Sequence, residues 1–441
     1  AEQPATESKQ AEESAPVSEQ AEEPAVESEQ ADEPVTLRVW KFGGPQHERD
    51  YMVEKNAEFE QANPDIKIEW AYQNWPERRT QVLAANQADN LPDIILSDSI
   101  SIPEFERFGV IVPLDEVDQE LVKSWEPKFV EEGWNTGVYK DHVYCVSPYV
   151  DTSPVLVYNT KMFEEAGIVD ENGNARPPKD WDELLQIAED LTKDGIYGIG
   201  IPGTNGTLDL QIFMGIAYRN GGRWVDEDGQ VVVNGPGVAD TLSFYKELLP
   251  YAAPGYTETN FRQTMEIFFQ EKVAMAFTQS FAPILRQSLG APDDFPYNIA
   301  PVPLQATKSG NYDPASFIMT PTACFLLTRQ AENQEAAIRY IDYWTTEEAQ
   351  AGWSGSIIEG RIPTMKANLE STDFERIYPD LAAAYLSDEL FIGAQSMPNF
   401  PGLTESEEKM SAAFQEVLLG VKEPQQALDD VQEQIQQIYD K

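Results

Sequence analysis

Three short apolar runs separated by two amphipathic ones constrain this fold more than any other feature of the chain. Residues 35–40 (VTLRVW), 66–72 and 92–96 (PDIIL) have the length and the Val/Ile content of strands. A Gly43-Gly44 turn leads into a helical pattern that Pro64 ends, and residues 77–88 are helical again. Strands alternating with helices build an α/β fold around a parallel sheet, whose ligands gather at the carboxyl ends of the strands. Trp40, Asp98 and, further along, Tyr149 stand at such ends.

The segment 144–185 punctuates a second unit. Asn159 is placed to cap a helix carrying Met162, Phe163 and Ala166, and Gly167 to end it in a left-handed conformation. Asp180 with Glu183 resembles a capping box ahead of Trp181, Leu184, Leu185, Ala188 and Leu191. Tyr149 and Asp151 are left at a strand break between the two halves. Near the C-terminus, Thr404 with Glu407 is expected to start a helix that stops at Gly420, and Pro424 opens another. The segments 170–173 and 226–229 imitate calcium loops but lack ligands at the first and twelfth positions, so they read as turns.

A chain of 441 residues exceeds one ordinary domain, and two lobes are the expectation. With 76 acidic against 31 basic residues, duplex DNA, RNA and anionic lipid surfaces are poor partners, and a neutral or cationic ligand fits better. Part of that acidity lies in residues 1–34, where AEQPATESKQ, AEESAPVSEQ and AEEPAVESEQ repeat a ten-residue period without one aromatic ring. Such a segment cannot bury enough apolar area to offset chain entropy. It is expected to be a disordered tether reaching on the order of 30 Å.

With His47 and His142 the only imidazoles and no CxxC, neither a metal centre nor a cofactor is expected. Cys145 and Cys324 lie in apolar, strand-like runs; two buried free thiols are the expectation, and a disulfide is the alternative in an oxidising compartment. No run is apolar and long enough to span a membrane. The chain reads as a mature form, with a lipid-anchored cysteine just ahead of Ala1 as the fitting attachment.

From Val35 onward the chain resembles the extracellular solute-binding proteins of ABC importers, in the carbohydrate-binding branch similar to maltose and trehalose receptors. The resemblance rests on FEQANPDIKIEW, LPDIILSD with FGVIVPLDEV, VYCVSPYVDTSPVLVYNTKMFEEAGI, PPKDWDELL, YRNGGRWVDEDGQ, FFQEKVAMAFTQSFAP, AAIRYIDYWTTEEAQ, EGRIPT and the paired terminal helices, in that order. It implies a two-lobe, type II periplasmic-binding-protein-like α/β fold that closes on its ligand. The lobes would be residues 35–147 with 326–368, and 150–322 with 369–441. Crossings would lie near 146–149, 321–325 and 362–366, which would bring Cys145 and Cys324 onto neighbouring hinge strands.

A sugar offers apolar C–H faces and hydroxyls, so its site needs rings and charged or amide groups. The resemblance places Asp98 and Asp151 as hydroxyl-binding aspartates and Glu48, Arg79 and Arg361 on the cleft wall, with Arg78 able to replace Arg79. Tyr149, Phe281 and Trp40 are the stacking rings, with Trp224 and Trp353 behind them; Phe281 stands where many relatives carry Trp. The expected function is non-enzymatic capture of a neutral disaccharide or short oligosaccharide for an ABC permease. The carrier would be a monomeric extracytoplasmic protein, either a cell-surface lipoprotein or periplasmic. The alternatives are a receptor of the same fold for a non-sugar solute and a secreted glycoside hydrolase.

Overall fold

The computed structural model describes residues 33–440 apart from 45, 205, 227, 282–284, 287, 306–317, 321–322, 355–360, 371–394, 397, 399 and 401. The acidic repeat, expected to be a tether, lies outside the described residues as far as 32, and Glu227 of the second calcium-like turn is outside them too.

The described strands form three four-stranded sheets and a short hairpin. In the first sheet β1 (Val35–Phe42) pairs in parallel with β2 (Ile66–Gln73) and β3 (Ile94–Ser97). Helices α1 (Gln46–Ala62) and α2 (Arg78–Gln87) make the crossovers. The edge strand β12 (Cys324–Leu327) runs antiparallel to β3, so the sheet is mixed where the alternating pattern implies a parallel one. That strand returns from the far half of the chain and enters from the opposite end. The sheet is covered on both faces. Leu37, Val39, Ile94, Leu96, Phe325 and Leu327 pack into one core, and Phe42, Ile95 and Leu326 into another with Val82 of α2, which is why β3 reads as a continuous apolar run. The short helices α3 (Ile102–Arg107), α4 (Leu114–Val117), α5 (Gln119–Trp125) and α6 (Glu131–Asn135) follow, with the hairpin β4 (Val138–Tyr139) and β5 (His142–Val143). On the first core lie α12 (Gln334–Tyr343) and α13 (Glu347–Ser354).

The second sheet has the order β10 (Tyr297–Pro301), β7 (Val155–Asn159), β9 (Val273–Thr278), β8 (Tyr197–Gly200), and only β8 with β9 is parallel. Its core takes side chains from α7 (Thr160–Glu165), α8 (Trp181–Leu191), α9 (Thr207–Arg219), α10 (Pro236–Leu248) and α11 (Phe261–Phe269). The C-terminal helices α15 (Leu403–Leu418) and α16 (Pro424–Tyr439) pack on the same core. The third sheet, β13 (Ile362–Pro363), β6 (Tyr149–Ser153), β11 (Ile318–Thr320) and β14 (Gln395–Ser396), lies where the chain passes between the other two. Strand β6 leads directly into β7 of the second sheet, and β11 precedes β12 of the first. Residues 366–370 form α14, packed on α13. The architecture is a two-lobe α/β fold with crossing strands between the lobes.

Local punctuation explains these boundaries. Asn159 accepts from the Met162 N–H at 3.0 Å. At the other end of α7, Ile168 N–H donates to Phe163 O and Gly167 N–H, at φ 76°, to Glu164 O, the paired bonds of a Schellman end. Asp180 accepts from the Glu183 N–H at 2.8 Å, but the box stays open, because the Glu183 carboxylate binds Arg176 and the Lys179 N–H instead. Asp170 and Asp226 each close their turns by accepting two backbone N–H bonds.

Thr404 is not the N-cap expected of it. Helix α15 begins through Gly402 at φ 94° with no side-chain cap, and a Cβ there would lie 2.5 Å from Ile438 Cγ2, so packing on α16 sets the entry. Cys145 and Cys324 form a disulfide rather than the two free thiols the sequence favours. The Phe325 N–H donates to Val146 O at 3.1 Å, so the stretch before β6 runs beside β12 and brings the Cα atoms to 5.3 Å.

Candidate ligand-binding site

Alternation along β1 sends Leu37, Val39 and Lys41 to one core face, so the Lys41 ammonium is only 2 % exposed. A buried ammonium needs a counter-ion, and Glu48 in the first turn of α1 supplies it, with Lys41 Nζ 3.1 Å from Glu48 Oε1. The helix N-terminus itself favours a carboxylate there. The turn before it must be glycine: Gly44 has φ 99°, and a Cβ on it would fall 2.7 Å from Glu48 Oε2.

The other Glu48 oxygen meets Arg361, which precedes β13, at 3.0 Å. The Arg361 guanidinium carbon lies 4.2 Å from the centre of the Tyr149 ring, and its Nε is 3.7 Å from Asp151 Oδ1. The Tyr149 hydroxyl is 3.5 Å from Glu48 Oε1. Two cations and two anions are thus matched inside a buried cluster shared by β1, α1 and the crossing strands. Burial alone would push the Glu48 carboxyl up, but Lys41 and Arg361 outweigh it and bring it down to about 2. Burial pulls the Lys41 ammonium below its usual range, with Glu48 opposing.

A second cluster lies at the end of β3. Asp98 accepts from the Ser101 N–H and hydroxyl, each at 2.8 Å, and is ion-paired with Arg78. Burial opposes ionisation of Asp98, yet Arg78 and the hydrogen bonds hold it below the usual carboxylate range. Arg78 also lies over the Trp75 ring, 4.4 Å from its centre. Arg79 Nε donates to Glu104 Oε2 at 2.7 Å and so does not meet Asp98, which Arg78 engages.

Of the residues expected at the site, Glu48, Tyr149, Asp151 and Arg361 come together directly. Trp353 is buried behind them, edge-on to Tyr149 with ring centres 6.1 Å apart and close to Trp344. Trp40 is half-buried on the opposite face of β1 from Lys41, edge-on to Phe42. Phe281 is half-buried against Phe261. Trp224 lies within the second core, its backbone N–H donating to the Tyr218 hydroxyl, away from both clusters.

Sequence reasoning missed the buried charges Lys41 and Glu407. The signal for Lys41 was a lysine in phase with Leu37 and Val39. For Glu407 it was an acid in phase with Leu403, Met410 and Phe414; burial, opposed by Arg79, pushes that carboxyl up to about 8. Among the described residues no group of three or more His, Cys, Asp or Glu side chains is arranged to hold a metal ion. No helix among them is long and apolar enough to cross a membrane.

The model of the family described as bacterial extracellular solute-binding protein matches residues 44–351. A Brucella abortus (strain 2308) protein described as a binding protein is 25% identical over 387 residues, covering 86% of this chain and 87% of its own. The sn-glycerol-3-phosphate-binding periplasmic protein UgpB of Salmonella typhimurium is 24% identical over 388 residues, with 84% and 85% covered. The crystal structure of an ABC transporter solute-binding protein from Thermotoga lettingae, bound with α-D-tagatose, superposes with a TM-score of 0.77 at 24% identity, covering 92% of this chain and 100% of that one. That likeness shows the fold.

Proposed function

The chain belongs to the bacterial extracellular solute-binding proteins, and from that premise we propose that it captures a neutral sugar or polyol, up to a short oligosaccharide, for an ABC permease. Lobe closure does the capturing. The lobes are residues 35–147 with 326–368 and 150–322 with 369–441, closing about crossings near 146–149, 321–325 and 362–366. The protein acts outside the cytoplasm as a monomer, held by a lipid anchor through the acidic repeat. It binds without chemical turnover.

The observation that carries this reading is the charge-matched cluster of Lys41, Glu48, Asp151 and Arg361 beneath the Tyr149 ring. Hydroxyls can add to such ions as further donors and acceptors, and a ring can take a C–H face. Asp98, Arg78 and Arg79 extend the polar wall, with Trp40 and Phe281 as flanking rings. The relative that binds sn-glycerol-3-phosphate raises a second reading, a phosphorylated polyol. Against it, every cation of the two clusters has an acid beside it: Lys41 and Arg361 have Glu48 and Asp151, Arg78 has Asp98, and Arg79 has Glu104. A phosphate dianion would have to displace a carboxylate already paired with the cation it meets.

A thermal-shift panel of maltose, tagatose, sn-glycerol-3-phosphate and spermidine tests the assignment. A ligand at a hundred times its dissociation constant stabilises the folded chain by about 2.7 kcal/mol. A shift with a neutral carbohydrate is expected. A shift only with the phosphate or the polyamine, or sustained release of monosaccharide from maltose, refutes the reading.

A further inference from the structure

The disulfide of Cys145 and Cys324 is buried and stands between the two charged clusters. Cys324 opens β12 and pairs in register with Ser97 of β3, so Asp98 is the next residue along the neighbouring strand. Cys145 leads through Val146, Ser147 and Pro148 to Tyr149 and Asp151, which meet Arg361. The backbone along this path is held at each step. A Cβ on Gly137 would come 2.2 Å from Cys145 O, and the Tyr144 N–H donates to Gly137 O at 2.9 Å. The Ser147 hydroxyl donates to Tyr149 O at 2.7 Å, and the Thr364 N–H donates to Pro148 O at 3.2 Å. On the other side of the disulfide, β11 pairs with β6 so that Thr320 stands opposite Asp151. The two crossing segments are therefore joined twice, by the β6–β11 ladder and by the disulfide at its first-lobe end.

We propose that this disulfide is a positioning element of the binding site: it anchors the ribbon of β6 and β11 on the first lobe and sets the spacing between the Asp98–Arg78 pair and the cluster of Glu48, Tyr149, Asp151 and Arg361. This rests on the carbohydrate reading and adds to it a part that touches no ligand. Hydrogen bonds alone would leave the ribbon free to open locally, because β11 is only three residues long. Hydrogen bonds to a solute weaken steeply once donor and acceptor drift out of line. A covalent bond removes that freedom before the solute arrives, so the cost of ordering the ribbon is not drawn from binding. The restraint persists in the folded chain, because both cysteines lie in the core with Ile102, Phe105, Tyr144 and Leu326, shielded from dissolved thiols.

The test compares the full wild-type chain with two double variants, Cys145→Ala with Cys324→Ala and Cys145→Ser with Cys324→Ser, the second serving if the first does not fold. All are measured well below their melting midpoints. Without ligand, hydrogen exchange in either variant should quicken about tenfold or more at the amides of residues 149–153 and 318–320, while those of β1 and β2 keep wild-type protection. With maltose and tagatose, calorimetry should find whichever sugar wild type binds held about tenfold more weakly by the variants. A disulfide that serves stability alone would lower the midpoint and leave both the affinity and the local exchange as in wild type, and that result overturns the proposal. Quickened exchange with unchanged affinity overturns it as well, and leaves the carbohydrate reading standing. Wild type that binds neither sugar refutes the carbohydrate reading, and the exchange at β6 and β11 then still decides whether the disulfide restrains the crossing strands.

Discussion

Replacing Glu48 by Gln preserves the side-chain shape and removes a carboxylate that bridges Lys41 and Arg361. Holding that carboxyl at about 2 rather than its ordinary 4.5 corresponds to about 3 kcal/mol. Breaking a buried ion pair from one side costs about 3–5 kcal/mol, and Asp151 remains near Arg361, so the lower end applies. The two routes agree, and Glu48→Gln should lose about 3 kcal/mol at pH 7. Because the folded-state value lies below the unfolded one, the contribution is complete above about 4.5 and disappears as pH falls towards 2. Urea unfolding of both proteins at steps from pH 7 to pH 2.5 reads this directly. The gap should be constant down to about pH 5 and then close. Equal stability at pH 7, or a gap that persists unchanged to pH 2.5, would refute the claim that these buried charges support one another.

Three further outcomes are expected. Converting Cys145 and Cys324 to serine releases a cross-link spanning 179 residues, worth up to about 5 kcal/mol of chain entropy; melting with and without reductant measures it, and native thiol titration should find none. Gly44→Ala places a Cβ against Glu48 at a positive φ and should cost about 1–3 kcal/mol in chemical unfolding, while Gly173→Ala, at φ 86° with nothing within 4 Å, carries only the backbone part of that cost. Asp151→Asn should weaken neutral-sugar binding about tenfold or more in calorimetry, and an unchanged affinity would remove Asp151 from the site.

The helices were readable because they rest on local physics. Asn159, Gly167, Asp180 and Gly420 punctuate helices through bonds that span no more than a few residues, and the apolar runs of β1 and β3 declare their burial. Sheet direction was less legible. The parallel order of β1, β2 and β3 follows from their crossovers, whereas β12 is antiparallel because of where a distant segment re-enters. Glu48, Tyr149, Asp151 and Arg361 could be proposed from the family resemblance, but their meeting could not be computed from spacing, since 313 residues separate Glu48 from Arg361.

What the sequence by itself determined is the set of elements, the two-lobe α/β class and the stock of rings and carboxylates available for a ligand, because periodicity, caps and turn residues act over a single turn or strand. What only the tertiary structure decided is which charges share a site. Lys41 becomes a buried partner of Glu48, Arg78 rather than Arg79 takes Asp98, the two cysteines join, and Glu407 comes to be buried. Each of these depends on the distance between groups far apart in the chain, and electrostatic and hydrogen-bond energies fall too steeply with that distance for order along the sequence to reveal them.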